Sequence, residues 1–269
     1  MKRAIRSQSD LREYLGLPPD SIPAAAQDFP TFVPLELADR IRPGELGDPI
    51  LRQVLATANE TDDAEGYVTD PVGELVASVG GGILHKYSGR ALLITHGACA
   101  VHCRYCFRRE FPYAENASIK QSWDPAIRYL LENDSIDEVL LSGGDPLTLS
   151  DSMIDDLVSR IEAISHVDRL RIHTRLPIAI PQRMTDGLVD RLAKSRLAIW
   201  LVIHSNHANL SDESVSHAFG RCRQSGLSLL NQSVLLAGVN DSSATLVKLS
   251  RRLIKLGVQP YYLHHVDRV

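Results

Sequence analysis

Six short hydrophobic runs divide the chain from residue 91 onward into regular units. Each run is apolar and rich in β-branched side chains. Continuous apolar runs of this length are typical of strands that are buried on both faces of a parallel sheet. We therefore predict strands at Ala91–Thr95, Glu138–Ser142, Arg169–His173, Ala198–His204, Ser228–Leu235 and Gln259–His264.

The intervals between these runs have helical periodicity. Their apolar residues recur three and four positions apart, which places them on one face of a helix. Three such faces are formed by Met153, Ile154, Leu157, Ile161 and Ile164, by Leu188, Val189 and Leu192 after Thr185, and by Leu246, Leu249, Leu253 and Leu256. Ser150 or Asp151 is placed to cap the first helix. Asp241 or Ser242 precedes the third helix, and Gly257 is placed to end it.

The spacing of the strands predicts the fold class. The later strands begin roughly 30 residues apart, which is the length of one β–α–β unit with a right-handed crossover. Six such units from residue 91 predict an α/β fold, namely a partial (β/α)6 barrel of the TIM type. Its open side would leave a wide mouth for a substrate. A doubly wound sheet is the alternative that the pattern leaves open.

Residues 1–75 follow a different pattern. Prolines interrupt them at Pro18, Pro19, Pro23, Pro30, Pro34, Pro43, Pro49 and Pro71. Because proline breaks long elements, we predict an irregular helical N-terminal extension that packs on a barrel of residues 76–269. Helical pieces fit at 35–42 and 48–58, and the polar segment from Asn59 to Gly66 is predicted to be a loop. Only Val266–Val269 follow the sixth strand, so we expect a truncated chain.

Composition excludes several classes of protein. The 269 residues are 44% hydrophobic and 23% charged, with a net charge of −4 and a pI near 6.2, which is ordinary for a globular domain. A non-specific nucleic-acid binder would carry a basic excess. No apolar run approaches the roughly 20 residues that span a bilayer, and no apolar stretch follows the basic start of the chain. We expect a cytoplasmic protein without nucleic-acid or membrane partners.

Polar residues collect where the predicted strands end. The first strand runs into a cysteine-rich segment, and the other five end in or contain Ser142–Pro146, His173–Arg175, His204–His207, Asn231–Ser233 and His264–Asp267. In barrels of this type, functional residues lie at the carboxyl ends of the strands. The pattern therefore predicts one site to which all six strands contribute.

Three of the four cysteines lie within eight residues, at Cys99, Cys103 and Cys106. Disulfide frameworks spread their cysteines along the chain, so these are predicted metal ligands, which require a reducing compartment. The spacing Cys-x3-Cys-x2-Cys, with Tyr105 before the last cysteine, is the signature of radical S-adenosylmethionine enzymes. Such a loop holds three irons of a [4Fe-4S] cluster and leaves the fourth open. A zinc site of three cysteines and a histidine is the alternative, and Cys222 is predicted to be a buried apolar residue.

The open iron of such a cluster can take the amino and carboxylate groups of S-adenosylmethionine. One electron then cleaves the cofactor to methionine and a 5′-deoxyadenosyl radical, which can abstract an unactivated hydrogen. Gly143, Gly144 and Asp145 follow the second strand at the position of the GGE-like motif that these enzymes commonly carry. The two glycines would let the backbone approach the cofactor closely. A plain strand-to-helix turn is the alternative.

Several longer motifs resemble the lysine 2,3-aminomutase family. They are HKYSGR at 85–90, CFRR at 106–109, SGGDPL, RLPI, the 204–209 segment, NQSVLL with GVND, and PYYLH. The resemblance runs from about residue 30 to the last residue. It is closest to the branch that makes (R)-β-lysine for the modification of elongation factor P. The substrate that this implies is L-lysine, whose amino group moves from the α- to the β-carbon while bound to pyridoxal 5′-phosphate.

The resemblance also implies roles for individual residues. Contacts to S-adenosylmethionine are expected from Gly143, Gly144, Asp145, Thr174, Arg175, His204 and Gln232. Tyr87 and Arg90 are expected beside pyridoxal phosphate, with Arg90 on its phosphate. Arg108 would bind the substrate carboxylate, a task that suits the bidentate geometry of a guanidinium. Asp267 would receive the distal ammonium of the substrate.

In one respect the chain departs from the family pattern. The family's pyridoxal lysine lies in a glycine-rich motif beyond the equivalent of residue 269. We therefore expect non-covalent pyridoxal phosphate at most, and no catalytic lysine in this chain. A flavodoxin- or ferredoxin-type reductant and a homodimer are further expectations. The competing hypotheses are an aminomutase for free lysine or for glutamate in secondary metabolism, and a non-catalytic metal-binding fragment.

Overall fold

The computed structural model describes residues 3–18, 29–62, 65–116 and 123–268. Its strands are β1 (Ala4–Ile5), β2 (Val33–Pro34), β3 (Ser78–Gly80), β4 (Ile83–Tyr87), β5 (Arg90–Ile94), β6 (Glu138–Ser142), β7 (Arg169–Thr174), β8 (Ala198–His204), β9 (Ser228–Val234) and β10 (Gln259–His264). Its α-helices are α1 (Gln8–Tyr14), α2 (Leu35–Ala38), α3 (Tyr113–Asn116), α4 (Asp124–Glu132), α5 (Asp151–Glu162), α6 (Leu176–Ala179), α7 (Asp186–Ala193), α8 (Glu213–Gln224) and α9 (Ser243–Lys255). None of these helices is long and apolar enough to cross a membrane.

Eight of the strands form one sheet. Strands β5 to β10 are parallel and lie side by side in the order of the sequence, and the short strands β3 and β4 extend the sheet antiparallel to β5. At least one helix separates each pair of parallel strands. A doubly wound sheet reverses its strand order in the middle. The sequential order therefore confirms the partial (β/α)6 barrel and excludes the alternative.

The two faces of the sheet differ in chemistry. One alternate set of side chains, such as Val139, Leu141, Ile172 and Leu201, joins the helices in the main hydrophobic core. The opposite set forms an inward face, which carries charged and polar residues including Glu138, Arg171, His173 and His204. Side chains of successive residues point to opposite faces of a strand. The prediction of strands buried on both faces holds for most of β5 to β9, although their inward face is polar, and it is wrong for β10, which is mostly exposed at the edge of the sheet.

For two helices the sequence offers two candidate N-terminal caps, and in each case the structure has one of the two as the cap. Ser150 begins α5 by accepting a hydrogen bond from Met153 N–H at 3.3 Å, and Ser242 accepts one from Thr245 N–H at 3.2 Å before α9. After α9, Gly257 adopts a φ of +76°, in the left-handed region that favours glycine.

The N-terminal extension is less helical than predicted. Within 35–42 only Leu35–Ala38 is α-helical, and within 48–58 a 3-10 turn covers Leu51–Gln53. Ala58–Thr61 forms another 3-10 turn in the segment predicted to be a loop, because Thr57 and Glu60 make a reciprocal capping box. Buried apolar residues of the extension belong to the same hydrophobic core as those of the barrel.

The hairpin β3–β4 was not predicted. Its strands are short, and three successive glycines, Gly80–Gly82, connect them with positive φ angles. Such a segment lacks the long apolar run that indicates a buried strand. The hairpin places Tyr87 and Gly89 immediately before the first parallel strand.

Candidate functional site

The three clustered cysteines lie in the loop that joins β5 to α3, at the carboxyl end of the first parallel strand. All three side chains are partly exposed, whereas Cys222 is fully buried in α8. The structure therefore places the thiols where the fold predicts a site, and it places Cys222 in the core as expected.

The thiols are close enough to affect one another. Burial raises the pKa of Cys99 well above its usual range, and the nearby Asp145, Cys103 and Cys106 raise it further. Burial and Cys103 raise the pKa of Cys106 to about 11. The free thiols of Cys99 and Cys106 are therefore protonated near neutral pH, and a metal cluster would displace their protons on binding.

The donor set fits an iron–sulfur cluster better than a single ion. Across the described parts of the chain, no three His, Cys, Asp or Glu side chains are arranged to share one metal ion. Zinc requires its ligands to converge on one point at about 2.3 Å from each sulfur. In a four-iron cluster each thiolate binds a different iron, so the sulfurs need not converge. The loop offers three thiols and no fourth, which fits a cluster with one open iron.

The two glycines after β6 pack against the cysteine loop. Gly144 N–H donates to the carbonyl of His96 at 2.7 Å, and Asp145 N–H donates to that of Ala98 at 2.8 Å. A Cβ atom at Gly144 would lie 2.1 Å from the Ala98 carbonyl oxygen, and one at Gly143 would lie 2.5 Å from that of His96. The two glycines thus permit a close approach between two loops of the protein. The prediction from the sequence is a close approach of the backbone to the cofactor.

Asp145, which is predicted to contact the cofactor, makes hydrogen bonds within the protein. Its buried carboxylate accepts hydrogen bonds from Thr174 Oγ1 at 2.7 Å, from Arg175 N–H at 2.7 Å and from the backbone N–H groups of Leu147 and Leu176. Both Asp145 and Thr174 are engaged in joining the ends of β6 and β7. Burial raises the pKa of Asp145, while these four donors lower it.

Arg175 lies against the cysteine loop. Its Nη1 contacts the Sγ atom of Cys103 and donates to the Tyr105 hydroxyl at 2.8 Å. Burial lowers the pKa of this guanidinium, but Cys103 and Tyr105 raise it by more, so it stays charged. The Nε atom of Arg175 is buried and has no hydrogen-bond partner among the described residues. A positive charge therefore lies beside one of the three thiols.

Two histidines line the inward face next to this arginine. The rings of His173 and His204 meet edge to face, with centroids 6.0 Å apart, and the Nε2 atom of each is buried without a partner in the described structure. Burial lowers the pKa of His204 to about 3, and it lowers that of His173 well below the usual value. Gln232 pairs with His204 across the strands. Unsatisfied buried polar atoms are costly, so this face fits a polar ligand.

Arg108 is buried at the edge of the same face. Its Nε donates to the carboxylate of Glu74 at 2.7 Å, its Nη2 contacts the other Glu74 oxygen, and its Nη1 donates to Ser142 Oγ at 2.6 Å. The bidentate pairing predicted for a substrate carboxylate is therefore made here with a carboxylate of the N-terminal extension.

Tyr87 and Arg90 lie away from the cysteine loop. They flank the turn before β5, and Arg90 is its first residue, four positions before Ile94 at the carboxyl end, a rise of roughly 13 Å. Arg90 is about half exposed, and its Nε lies 3.6 Å from Glu138, which also contacts Arg171 at 2.6 Å. Arg90 therefore lies at the opposite end of the first parallel strand from the cysteine loop.

Asp267 follows the last strand, β10, at the carboxyl end of the sheet, and its side chain is partly buried. The next residue holds this segment, because the Arg268 carbonyl accepts a hydrogen bond from Val68 N–H at 3.1 Å. Asp267 therefore lies at the end of the barrel that carries the thiols, as predicted.

Sequence reasoning missed the residues of the N-terminal extension that contact this site. Gln53 and Glu74 contact Arg175 and Arg108, and Glu60 accepts hydrogen bonds from Arg104 in the cysteine loop. Each is a single polar residue in a proline-interrupted segment without a motif. No local pattern marks such residues, because their partners are more than 30 positions away.

Comparison with known proteins identifies relatives over almost the whole chain. Residues 87–173 match a sequence family described as a 4Fe-4S single cluster domain. The chain is 50% identical to L-lysine 2,3-aminomutase of Escherichia coli over 91% of its own length and 72% of the relative's. It is 45% identical to the Haemophilus influenzae protein of the same name, over all of this chain and 80% of that one. The Clostridium subterminale protein of that name is 34% identical over 99% of this chain and 65% of its own length.

One solved structure, described as Streptococcus suis SuiB bound to precursor peptide SuiA, has a similar fold. The TM-score is 0.52 at 16% sequence identity, and the match covers 70% of this chain and 41% of that one. At this identity the likeness concerns the fold alone, and it agrees with the partial barrel described above.

Proposed function

The chain belongs to the L-lysine 2,3-aminomutase family of radical S-adenosylmethionine enzymes, and we propose that it moves the α-amino group of L-lysine to the β-carbon. The observation that carries this proposal is the loop with Cys99, Cys103 and Cys106 at the carboxyl end of the first parallel strand. We further propose that the product is (R)-β-lysine for the modification of elongation factor P. The motifs NQSVLL and CFRR support that branch of the family.

The cysteine loop and the inward face would hold the radical-generating groups. When bound, the cluster supplies one electron to S-adenosylmethionine, and the resulting radical abstracts a hydrogen from the substrate. The three thiols anchor the cluster. The unpaired Nε2 atoms of His173 and His204, and the Nε atom of Arg175, are available to orient a polar ligand beside it. Gln232 of β9 lies opposite His204 of β8 in the strand register.

Two charged residues would recognise the ends of lysine. Arg108 is oriented by Ser142 and by a bidentate pair with Glu74, and the substrate carboxylate would take the place of the Glu74 carboxylate in that pair. Asp267 offers a carboxylate for the distal ammonium at the carboxyl end of β10. A substrate with an anionic and a cationic end fits this pair, which favours lysine over glutamate.

Pyridoxal phosphate belongs to the proposal as a second cofactor. When bound, it supplies the conjugated system that stabilises the radical during migration of the amino group. Arg90, the first residue of β5, would contact the phosphate of pyridoxal phosphate, and Tyr87 lies opposite Arg90 across the turn between β4 and β5. A flavodoxin- or ferredoxin-type protein is the proposed electron donor, and a homodimer the proposed assembly.

Anaerobic reconstitution of the full chain with iron and sulfide tests this function. We expect charge-transfer absorption at about 400 nm and, with reductant and S-adenosylmethionine, formation of 5′-deoxyadenosine. With added pyridoxal phosphate and L-lysine, chiral chromatography should detect (R)-β-lysine. Cys106→Ala should abolish the absorption, whereas Cys222→Ala, in the core of α8, should retain it.

Two results would contradict the proposal. If the protein bound stoichiometric zinc and showed no absorption band, the three cysteines would be assigned to a zinc site and not to a radical site. Turnover of glutamate but not of lysine would overturn the substrate assignment and leave the radical chemistry intact.

A further inference from the structure

Gln53 connects the N-terminal extension to the cysteine loop. It ends the 3-10 turn Leu51–Gln53 and is fully buried. Its backbone carbonyl accepts a hydrogen bond from Arg104 N–H in the cysteine loop at 2.9 Å. Its side chain reaches past this loop to the ends of two parallel strands. A buried polar side chain in this position needs hydrogen-bond partners, and those partners define its role.

The orientation of the Gln53 amide is fixed by its surroundings. Its Nε2 donates to the Pro49 carbonyl at 2.8 Å, so its Oε1 faces the site. That oxygen accepts hydrogen bonds from Arg175 Nη2 at 2.8 Å and from Asn206 Nδ2 at 3.2 Å. Asn206 is in turn held by Val234 N–H at 2.8 Å. The acceptor that Gln53 presents to Arg175 is therefore rigid.

The guanidinium of Arg175 is held by two acceptors, and its backbone N–H is held by a third. Gln53 accepts from Nη2, the Tyr105 hydroxyl accepts from Nη1, and the Asp145 carboxylate fixes the backbone N–H. The planar group consequently presents Nη1 to the sulfur of Cys103. The charge and hydrogen bonds around a cluster sulfur set its reduction potential, and a positive donor stabilises the reduced cluster.

We infer that Gln53 is a positioning residue that holds Arg175 against the sulfur of Cys103 and so raises the reduction potential of the cluster in this loop. This inference rests on the cluster of the proposed function. It goes beyond that function because it assigns a redox role to a residue of the N-terminal extension that carries no thiol and contacts no predicted substrate group.

The test is an anaerobic potentiometric titration of the reconstituted full chain, followed by electron paramagnetic resonance without S-adenosylmethionine. Gln53→Met keeps the volume and removes the acceptor, and Gln53→Glu keeps an acceptor but neutralises the charge of Arg175. In both variants we expect the ratio of reduced to oxidised cluster, at a fixed ambient potential, to fall roughly 3- to 10-fold. Gln8→Met is the matched control. Gln8 is a buried glutamine of the same extension that bonds to Thr31, Val54 and Ala56 instead.

A double-variant cycle separates positioning from general destabilisation. Arg175→Met should lower the ratio in the same direction, and adding Gln53→Met to it should cause no further change. Wild-type ratios in both Gln53 variants, or equal decreases in the Gln8 control, would overturn the inference. Failure of the wild-type chain to form a four-iron cluster would instead overturn the proposed function, so the two failures are distinguishable.

Discussion

At the scale of single residues, the inward face keeps two imidazoles uncharged. Burial is the main cause that lowers the pKa of both histidines, and Arg108 lowers both further, together with Arg171 for His173 and Arg175 for His204. In the unfolded chain an imidazole titrates near a pKa of about 6.5. Below that pH the unfolded chain binds protons that the folded chain excludes.

The stability of the protein should therefore fall as the pH drops below about 6.5, and continue to fall toward the folded pKa of His204 at about 3. Replacing His173 by Asn removes one of the two groups. We expect the loss of unfolding free energy between pH 7 and pH 5 to be smaller in His173→Asn by about 1–2 kcal/mol.

Urea denaturation of the wild type and the variant at each pH measures this difference. At pH 8 the histidines are neutral in both the folded and the unfolded state, so the comparison there gives the pH-independent effect of the substitution. An identical pH dependence for the two proteins would contradict the prediction.

Residues with a local signal were predictable, and residues that act at long range were not. Cys99, Cys103 and Cys106 form a motif within eight positions, and the structure brings them into one loop. The position of Asp145 beside the cofactor stays a prediction, and no local pattern reveals that its carboxylate accepts a hydrogen bond from Arg175 N–H, 30 positions away. Gln53 has no sequence signal because its partner Arg175 is 122 positions away.

At the scale of elements, two loops form the site as one packed unit. The loop after β5 and the loop after β6 exchange backbone hydrogen bonds, and Gly144 lies in contact with the Ala98 carbonyl. Because the blocking atom belongs to the backbone, it cannot move aside as a side chain could. The conformation of the cysteine loop therefore depends on the absence of a side chain at Gly144.

Gly144→Ala should displace the cysteine loop and reduce cluster binding. We expect the iron and sulfide bound per chain after reconstitution to fall severalfold, and the unfolding free energy to fall by roughly 2 kcal/mol or more, because the added methyl group overlaps backbone. Colorimetric iron and sulfide determination measures the first effect.

Gly187→Ala is the matched control. Gly187 lies in the first turn of α7, and a Cβ atom at this position would have no neighbouring atom within 4 Å. Alanine is favoured over glycine in a helix by about 0.5–1 kcal/mol. This variant should retain full iron content and gain slightly in stability. Wild-type iron content in Gly144→Ala would show that the contact between the loops is dispensable.

The elements of the barrel were largely predictable for a physical reason. Parallel strands that carry one face of a large core need continuous apolar runs, and all six predicted strands agree with the observed ones to within a residue at each end. The hairpin β3–β4 and the 3-10 turns of the extension depend on glycine conformations and local caps. Such features produce little periodicity, so the hydrophobic pattern does not reveal them.

At the scale of the whole molecule, extension and barrel share one core. Leu37 and Leu51 of the extension are fully buried in the same cluster as Ile172 and Leu201 of the sheet. A shared core means that neither part can lose its packing without exposing apolar surface of the other. The protein should therefore unfold in one cooperative transition.

Leu37→Ala tests this coupling in the chain without cofactors. We expect the unfolding free energy to fall by about 2–5 kcal/mol, with coincident shifts of the tryptophan fluorescence of Trp123 and Trp200 and of the far-ultraviolet circular dichroism. Leu46→Ala, at a position that is 46% exposed, should change the free energy by less than about 0.5 kcal/mol. Separate transitions for the two probes would show that the extension unfolds independently.

The bonds made by Gln53 have a consequence for the order of events during synthesis. They join residues that are 122 and 153 positions apart, so the support behind the cysteine loop is complete only once Asn206 has been made. At about 5–20 residues per second, the ribosome adds the stretch from Cys106 to Asn206 in roughly 5–20 s. Throughout that interval the cysteine loop lacks the support that the bond between Gln53 and Asn206 provides. We therefore expect insertion of the cluster to be a late step in maturation, after β8 has joined the sheet and Asn206 has been made.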